Sequence, residues 1–177
     1  IAGQPTDDSE MALALARTIV ARNGFHPEQV LDAYRQWMTT RPVDIGTTTE
    51  RGLLGLHTTE SESNGSLMRV SPLGVWAAGD PARAASAARE DSALTHPNPV
   101  CVEACAGYAA AIAVGVAGEG TEENRRSAMR AAALANSRGR AREAIERAQL
   151  PQDFSGRMGW VLVTLENAFF HLSGSNF

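Results

Sequence analysis

The sequence predicts an all-α protein, a compact multi-helix bundle. Three observations carry that expectation. Apolar residues recur at helical spacing, as at Met11, Leu15 and Ile19, and again at Val161, Leu165, Phe169 and Leu172. No stretch keeps up the two-residue alternation of a strand, and no internal repeat is visible. Helix start and stop signals punctuate the chain from Asn23-Gly24 to Asp80-Pro81. At 177 residues and 44% hydrophobic content, the chain is long enough for one cored domain, taken here as residues 1–177.

The elements follow in order. A first helix carries the Met11–Ile19 stripe and ends at Asn23-Gly24. Pro27 suits the first turn of a second helix, whose buried face is Val30, Tyr34, Trp37 and Met38, and Arg41-Pro42 stops it. Residues 44–49 form a loop into a short helix with Leu53, Leu54 and Leu56. His57 to Gly65 is a polar loop closed by the Asn64-Gly65 turn signal. Leu67 to Ala78 reads as helical, with its first turn or a kink at Pro72. Asp80-Pro81 starts a helix that runs to about Leu94, and Thr95-His96-Pro97-Asn98-Pro99 breaks it. Val100 to Ala117 is a small-residue helix suited to the centre of a bundle. Thr121 opens one more helix of Ala and Arg, and Gly159 to Leu172 is the last.

Composition narrows the function classes. A net charge of −4 is too mild for a nucleic-acid partner or an anionic membrane surface. All 16 basic residues are Arg, which fits genomic base composition in a chain rich in Ala, Arg and Gly. Cys101 and Cys105 lie four apart on one helical face, without further ligands at zinc spacing, and read as small buried residues in a reducing compartment. The uncharged run from Ala104 to Ala117 is shorter than the ~20 residues that cross a bilayer. The expectation is a cytoplasmic protein that engages no membrane. The chain begins at Ile1 rather than Met and stops after a Ser-Gly-Ser stretch, which suggests a piece of a longer protein.

The unusual chemistry sits in three polar interruptions: Thr6–Glu10, Ser61–Arg69 and Asp91–Pro97. In the first, two adjacent carboxylates and a hydroxyl stand at a helix start, an oxygen set that suits a hard divalent cation. Asp7 with Glu10 three residues on also fits a capping box, and acids in a first turn complement the helix dipole. In the second, hydroxyls, a turn and a helix start could form an anion cradle with Arg69 behind it, or an ordinary capped loop. In the third, His96 lies between a helix end and two prolines, where its ring could face a cleft or be a satisfied structural residue. His26 and His57 read as solvent-facing, and His171 as packing. No G-x-S-x-G, C-x-x-C or H-E-x-x-H motif occurs, and parallel strands for a dinucleotide fold are missing.

Three segments in this order, Thr6-Asp7-Asp8-Ser9-Glu10-Met11, Ser63-Asn64-Gly65-Ser66-Leu67-Met68-Arg69-Val70-Ser71-Pro72-Leu73-Gly74 and Leu94-Thr95-His96-Pro97, resemble the ADP-ribosylglycohydrolase family. The likeness extends over Asp44-Ile45-Gly46 and the closing helix. It implies an all-α bundle of that type around a dinuclear magnesium or manganese (Mg2+ or Mn2+) site. It implies metal-dependent hydrolysis of the glycosidic bond joining ADP-ribose to a modified protein side chain or a small molecule. By the motif match, Thr6, Asp7 and Asp8 are metal ligands, and Asp7 and Asp8 the catalytic candidates. Ser61, Glu62, Ser63, Asn64 and Gly65 wrap the ADP-ribose diphosphate, and His96 lines its pocket. Arg69 and Asp91 support the site.

Three departures qualify the likeness. Ser9 replaces the commonest threonine, and Ser63 stands where many members have glycine. The family's second metal motif, an aspartate-x-aspartate-threonine segment, and its early glycine-aspartate segment are absent, so about half of the expected ligands are present and the chain corresponds to the central portion of the family domain. On these residues alone a cation keeps several waters and binds weakly, and the isolated chain should be a poor enzyme. The alternative is a non-catalytic member of the same fold that binds ADP-ribose or serves as an immunity or structural protein.

Overall fold

The computed structural model describes Gly3, residues 5–150 and residues 156–174. Among these are nine helices: α1 (Asp7–Arg22), α2 (Pro27–Thr39), α3 (Thr47–Leu53), α4 (Ser71–Trp76), α5 (Pro81–Ala93), α6 (Pro99–Ala117), α7 (Glu122–Ala135), α8 (Gly139–Arg147) and α9 (Val161–Leu172). The described residues contain no strand, apart from one isolated antiparallel bridge between Ser63 and Trp160. The all-α expectation holds.

Helix α6 is the axis of the bundle and packs against α4, α5, α7, α8 and α9. Its small residues make that possible, because Ala and Gly let neighbouring backbones come close. A Cβ on Gly74 of α4 would stand 2.5 Å from the Ile112 Cβ of α6, so only glycine fits that crossing. Helix α6 is long and apolar enough to cross a membrane by length and composition, but 50% of its apolar window is buried against the other helices. One hydrophobic cluster draws residues from all nine of these helices, from Met11 and Leu15 on α1 to Leu165 and Phe169 on α9.

The local signals explain most boundaries. Asn23 closes α1 in the left-handed region (φ 52°), where its amide meets the Ile19 and Val20 carbonyls. Pro lies in the first turn of α2, α4, α5 and α6. Asp80, Asn98 and Thr121 cap α5, α6 and α7 with their side chains.

Several expectations need correction. Thr47, Thr48 and Thr49, expected in a loop, are the first turn of α3. Leu67 to Ala78 is not one helix: residues 66–69 form turns, and α4 begins at Ser71 with Pro72 in its first turn. The Ala/Arg stretch after Thr121 is two helices, α7 and α8, separated at Asn136–Arg138. There the Ser137 hydroxyl donates to the Ala133 carbonyl, and Gly139 takes a positive φ of 52° that no helix interior allows. His26 and His57 are exposed as expected. His171, expected to pack, is instead exposed, with its ring edge-on to Phe170.

Candidate functional site

The acids come first along the chain. Thr6 is the N-cap residue of α1, yet its side chain makes no capping bond. Its hydroxyl instead donates to Asp8 Oδ2 at 3.0 Å. Glu10 does not reach back to the cap either: its Oε2 accepts from the Trp37 indole N–H at 2.7 Å. The capping box is therefore not formed: Asp8 caps no amide, and Asp7 Oδ1 accepts only the neighbouring Asp8 amide, at 3.2 Å, among the α1 first-turn N–H groups. Asp7 is buried at 8% exposure, while Asp8 is exposed.

Burial raises the Asp7 pKa above the usual carboxylate value; the Asp8 and Asp44 carboxylates raise it further, and the Asp8 and Gly46 amides offset part of this. Asp44 and Gly46 belong to the segment leading into α3, so the fold brings that segment against the α1 N-terminus. Sequence reading included Asp44 in the family likeness without a role; its place beside Asp7 is legible only in three dimensions. Thr6, Asp7 and Asp8 offer hard oxygen donors, crowded so that the carboxylates repel, which is the chemistry a divalent cation relieves. Among the described residues, however, no three His, Cys, Asp or Glu side chains converge as a metal cluster.

The loop Ser61–Gly65 lies across the molecule from α3 to α9. On one side the hydroxyls of Thr48 and Ser61 are 2.8 Å apart. On the other, the Asn64 amide donates to the Gly159 carbonyl at 2.9 Å, the Val161 amide donates to the Glu62 carbonyl at 2.9 Å, and the Asn64 side-chain N–H donates to Thr164 Oγ1 at 3.1 Å. The Glu62 carboxylate accepts from the Trp160 indole at 2.6 Å and pairs with Arg140. Its pKa sits below the usual value: partial burial pushes it up, and the Trp160 and Arg140 bonds outweigh that. Glu62 and Asn64 thus have protein partners that moor the loop to α8 and α9.

Beneath the loop is a buried polar network. Arg69 is 0% exposed. Its Nε donates to Asp91 Oδ2 at 3.0 Å, one Nη to the Asp91 carbonyl at 2.9 Å and the other to Thr95 Oγ1 at 2.9 Å. The Tyr34 hydroxyl donates to Asp91 Oδ1 at 2.8 Å, and the guanidinium carbon stands 4.5 Å from the Tyr34 ring centre. Arg69 therefore does not back an anion directly; its donors are spent inside the core, because a buried cation must be paired.

His96 is 1% exposed and lies under the loop rather than facing an open cleft. Its Nδ1 is 2.7 Å from Thr95 Oγ1 and its Nε2 is 2.9 Å from Ser63 Oγ. Burial first, and the Arg69 charge second, pull its pKa down to about 3, so the ring is neutral at physiological pH. Gly65 permits this approach. A Cβ there would stand 2.8 Å from both His96 Nε2 and Thr49 Oγ1. Gly52 of α3 is likewise pressed on Thr95, with a hypothetical Cβ 2.6 Å from the Thr95 Cα. No helix starts at Gly65, so the expected helix-end contribution to an anion cradle is missing; the Met68 amide closes a turn on the Asn64 carbonyl at 3.0 Å instead.

Helix α3 and its lead-in connect the two halves. Gly46 acts on Asp7, Thr48 holds Ser61, and Thr49 abuts Gly65. Gly46 and Thr49 are three residues apart, ~4.5 Å along a helix axis. The expected metal ligands and the expected nucleotide loop therefore flank one short segment. A groove of about 780 Å³ between α1 and α2, lined by Glu10, Arg17, Gln29 and Trp37 among others, lies elsewhere: neither Asp7, Asp8, the loop nor His96 lines it. Cys101 and Cys105 are buried free thiols under the loop; burial lifts their pKa to about 12 and about 11.

Comparison with known proteins adds three findings. The sequence model of a family described as ADP-ribosylglycohydrolase matches residues 1–177. ADP-ribosyl-[dinitrogen reductase] glycohydrolase of Rhodospirillum rubrum is 30% identical over 112 residues, covering 58% of this chain and 38% of that protein. A solved chain of an ADP-ribosylglycohydrolase-related protein complex matches 95% of this chain with a TM-score of 0.74 and 25% identity, over 59% of its own length. The chain thus spans well under half the length of that curated relative.

Proposed function

This chain belongs to the ADP-ribosylglycohydrolase family, and on that premise we propose that it serves hydrolysis of the glycosidic bond between ADP-ribose and an acceptor, with an ADP-ribosylated protein as the substrate class. The observation that carries the reading is the α3 segment, which holds Asp7 on one side and the Ser61–Gly65 loop on the other. A nucleotide sugar bound along that segment would place its diphosphate on the loop and its reacting ribose near the acids.

Thr6, Asp7 and Asp8 are the residues that would hold Mg2+ or Mn2+, together with waters and further oxygen ligands, and the crowded carboxylates beside Asp7 fit such a cation. A bound cation supplies a water of lowered pKa and an electrophile for ribose hydroxyls. The chain's own part is to orient and to stabilise charge. Departure of the acceptor from the anomeric carbon builds positive charge on the ribose ring, and the negative Asp7 and Asp8 carboxylates would stabilise it. Below the loop, Arg69, Asp91 and His96 keep the loop's shape without touching the reacting atoms.

The test is release of ADP-ribose from an ADP-ribosylated protein with Mg2+ or Mn2+ added. Release that falls at least tenfold on Asp8→Asn supports hydrolysis. A second reading, ADP-ribose binding without turnover, is favoured by the lack of a three-ligand acidic cluster among the described residues. It predicts saturable ADP-ribose binding with no release.

A further inference from the structure

The hydrogen bonds beneath the loop can be ordered by donor, because one end of the chain is a group that cannot accept. A guanidinium has five N–H donors and no acceptor. Arg69 Nη1 stands 2.9 Å from Thr95 Oγ1, so that oxygen receives a proton there and must send its own elsewhere. Among the described residues, the other polar atom at bonding distance is His96 Nδ1, at 2.7 Å. Thr95 therefore donates to Nδ1, which must be the unprotonated ring nitrogen.

The reverse tautomer would aim two N–H groups at Thr95 Oγ1 and leave a hydroxyl proton without an acceptor in a residue 0% exposed, which is unfavourable. A doubly protonated ring has the same fault and adds a second cation beside Arg69. The neutral ring then carries its proton on Nε2, 2.9 Å from Ser63 Oγ, and Ser63 accepts it. Ser61 Oγ is placed to donate to the same oxygen at 3.3 Å, while it accepts from the Ser63 amide at 3.4 Å and lies 2.8 Å from Thr48 Oγ1. Two incoming donors fill the acceptor capacity of a hydroxyl oxygen. The Ser63 proton remains, on a half-buried residue, and apart from Ser61 Oγ, which is placed as a donor to it, no described residue offers it an acceptor at bonding distance.

We infer that Arg69, acting through Thr95, fixes His96 as the Nε2–H tautomer, and that this makes the Ser63 hydroxyl a committed donor for an oxygen of a bound ligand. The ligand class is an oxyanion, and on the function proposed above it is the diphosphate of ADP-ribose. Ser63 is the binding residue; Arg69, Thr95 and His96 are positioning residues. Asp91 completes the device: it neutralises Arg69 without competing for the Nη1 donor, since its side chain takes Nε and its carbonyl takes Nη2.

The experiment has two arms. In the first, ring 15N NMR of His96 in the unliganded chain between pH 5 and 8 should show a neutral imidazole protonated at Nε2. Thr95→Ser should keep that signature, and Thr95→Val, nearly the same shape without the hydroxyl, should move it towards a tautomer mixture. An Nδ1–H tautomer or a charged ring in the unaltered chain overturns the inference, whether or not the variants fold. In the second arm, calorimetry with ADP-ribose should show about tenfold weaker binding for Ser63→Ala, the loss expected for one bond to a charged acceptor. Adenosine affinity should be unchanged. Equal ADP-ribose affinity for Ser63→Ala and the unaltered chain refutes the ligand assignment. Failure of the unaltered chain to bind ADP-ribose refutes the functional reading and the ligand class together, while the tautomer stands or falls on the NMR alone.

Discussion

Asp91→Asn tests the buried network most sharply, because it removes a charge and little volume. The carboxylate accepts from Tyr34 at 2.8 Å and from Arg69 at 3.0 Å, and Arg69 and Asp91 are both 0% exposed. Asparagine can offer its oxygen to Arg69 Nε or to the Tyr34 hydroxyl, not to both in the same geometry. Whichever it chooses, Arg69 is left as a buried cation without a counter-charge. Breaking such a pair from one side costs about 3–5 kcal/mol, a large share of a typical stability of about 5–15 kcal/mol. For a domain of this size that corresponds to a melting temperature lower by roughly 6–20 °C. Urea titration followed by circular dichroism reads the loss. The double variant Asp91→Asn, Arg69→Met removes both charges and should recover at least half of it. A loss below about 1 kcal/mol, the range of an exposed ion pair, would refute the reasoning, as would a double variant no more stable than the single one.

Further expectations follow from the same coordinates. Gly65→Ala places a Cβ 2.8 Å from His96 Nε2 and Thr49 Oγ1, so it should cost about 1–3 kcal/mol in unfolding titrations and displace the loop, seen as weaker ADP-ribose binding. The His96 pKa of about 3 lies below the ordinary 6.5, so between those values the unfolded chain binds a proton that the folded chain does not. Stability contributed by the neutral ring is complete above pH 6.5 and is lost as pH falls towards 3, by on the order of 4–5 kcal/mol; His96→Gln should flatten that slope in unfolding titrations over this range. Cys101 and Cys105, buried with pKa values near 12 and 11, should resist a thiol reagent at neutral pH until urea unfolds the chain, and rapid labelling of the folded chain would contradict their placement.

Much of this was legible in the sequence, and the omissions have physical causes. Regular stripes such as Met11, Leu15 and Ile19 marked α1 because burial follows the helical period. The break between α7 and α8 carries no proline, and both helices share Ala/Arg composition; its one sequence signal is the short Asn136-Ser137-Arg138-Gly139 stretch, where Asn136 and Ser137 bond back to α7 and Gly139 takes a positive φ. The bridge of Ser63 to Trp160 is a single pairing with no alternating run to announce it. Within the site, the motif positions were readable but their partners were not. Tyr34 looked like a core residue, yet its hydroxyl meets an acid 57 positions away. Arg69 read as a support behind the loop, but its full burial and its partners did not show in the sequence, since arginines are seldom fully buried; the structure spends it on Asp91 and Thr95. Asp44 drew no role because its neighbour Asp7 is far off in sequence.

The central claim is that Asp7 and Asp8 hold a divalent cation against a nucleotide sugar seated on the Ser61–Gly65 loop. Calorimetric titration of ADP-ribose with and without Mn2+, on the unaltered chain and on Asp7→Asn, Asp8→Asn, measures it directly. Binding should tighten with Mn2+ in the unaltered chain, and the double variant should lose that gain while melting at a similar temperature, since an asparagine oxygen at position 7 can still accept from the position-8 and Gly46 amides. An ADP-ribose affinity indifferent to Mn2+, or a double variant that keeps the full gain, would contradict it.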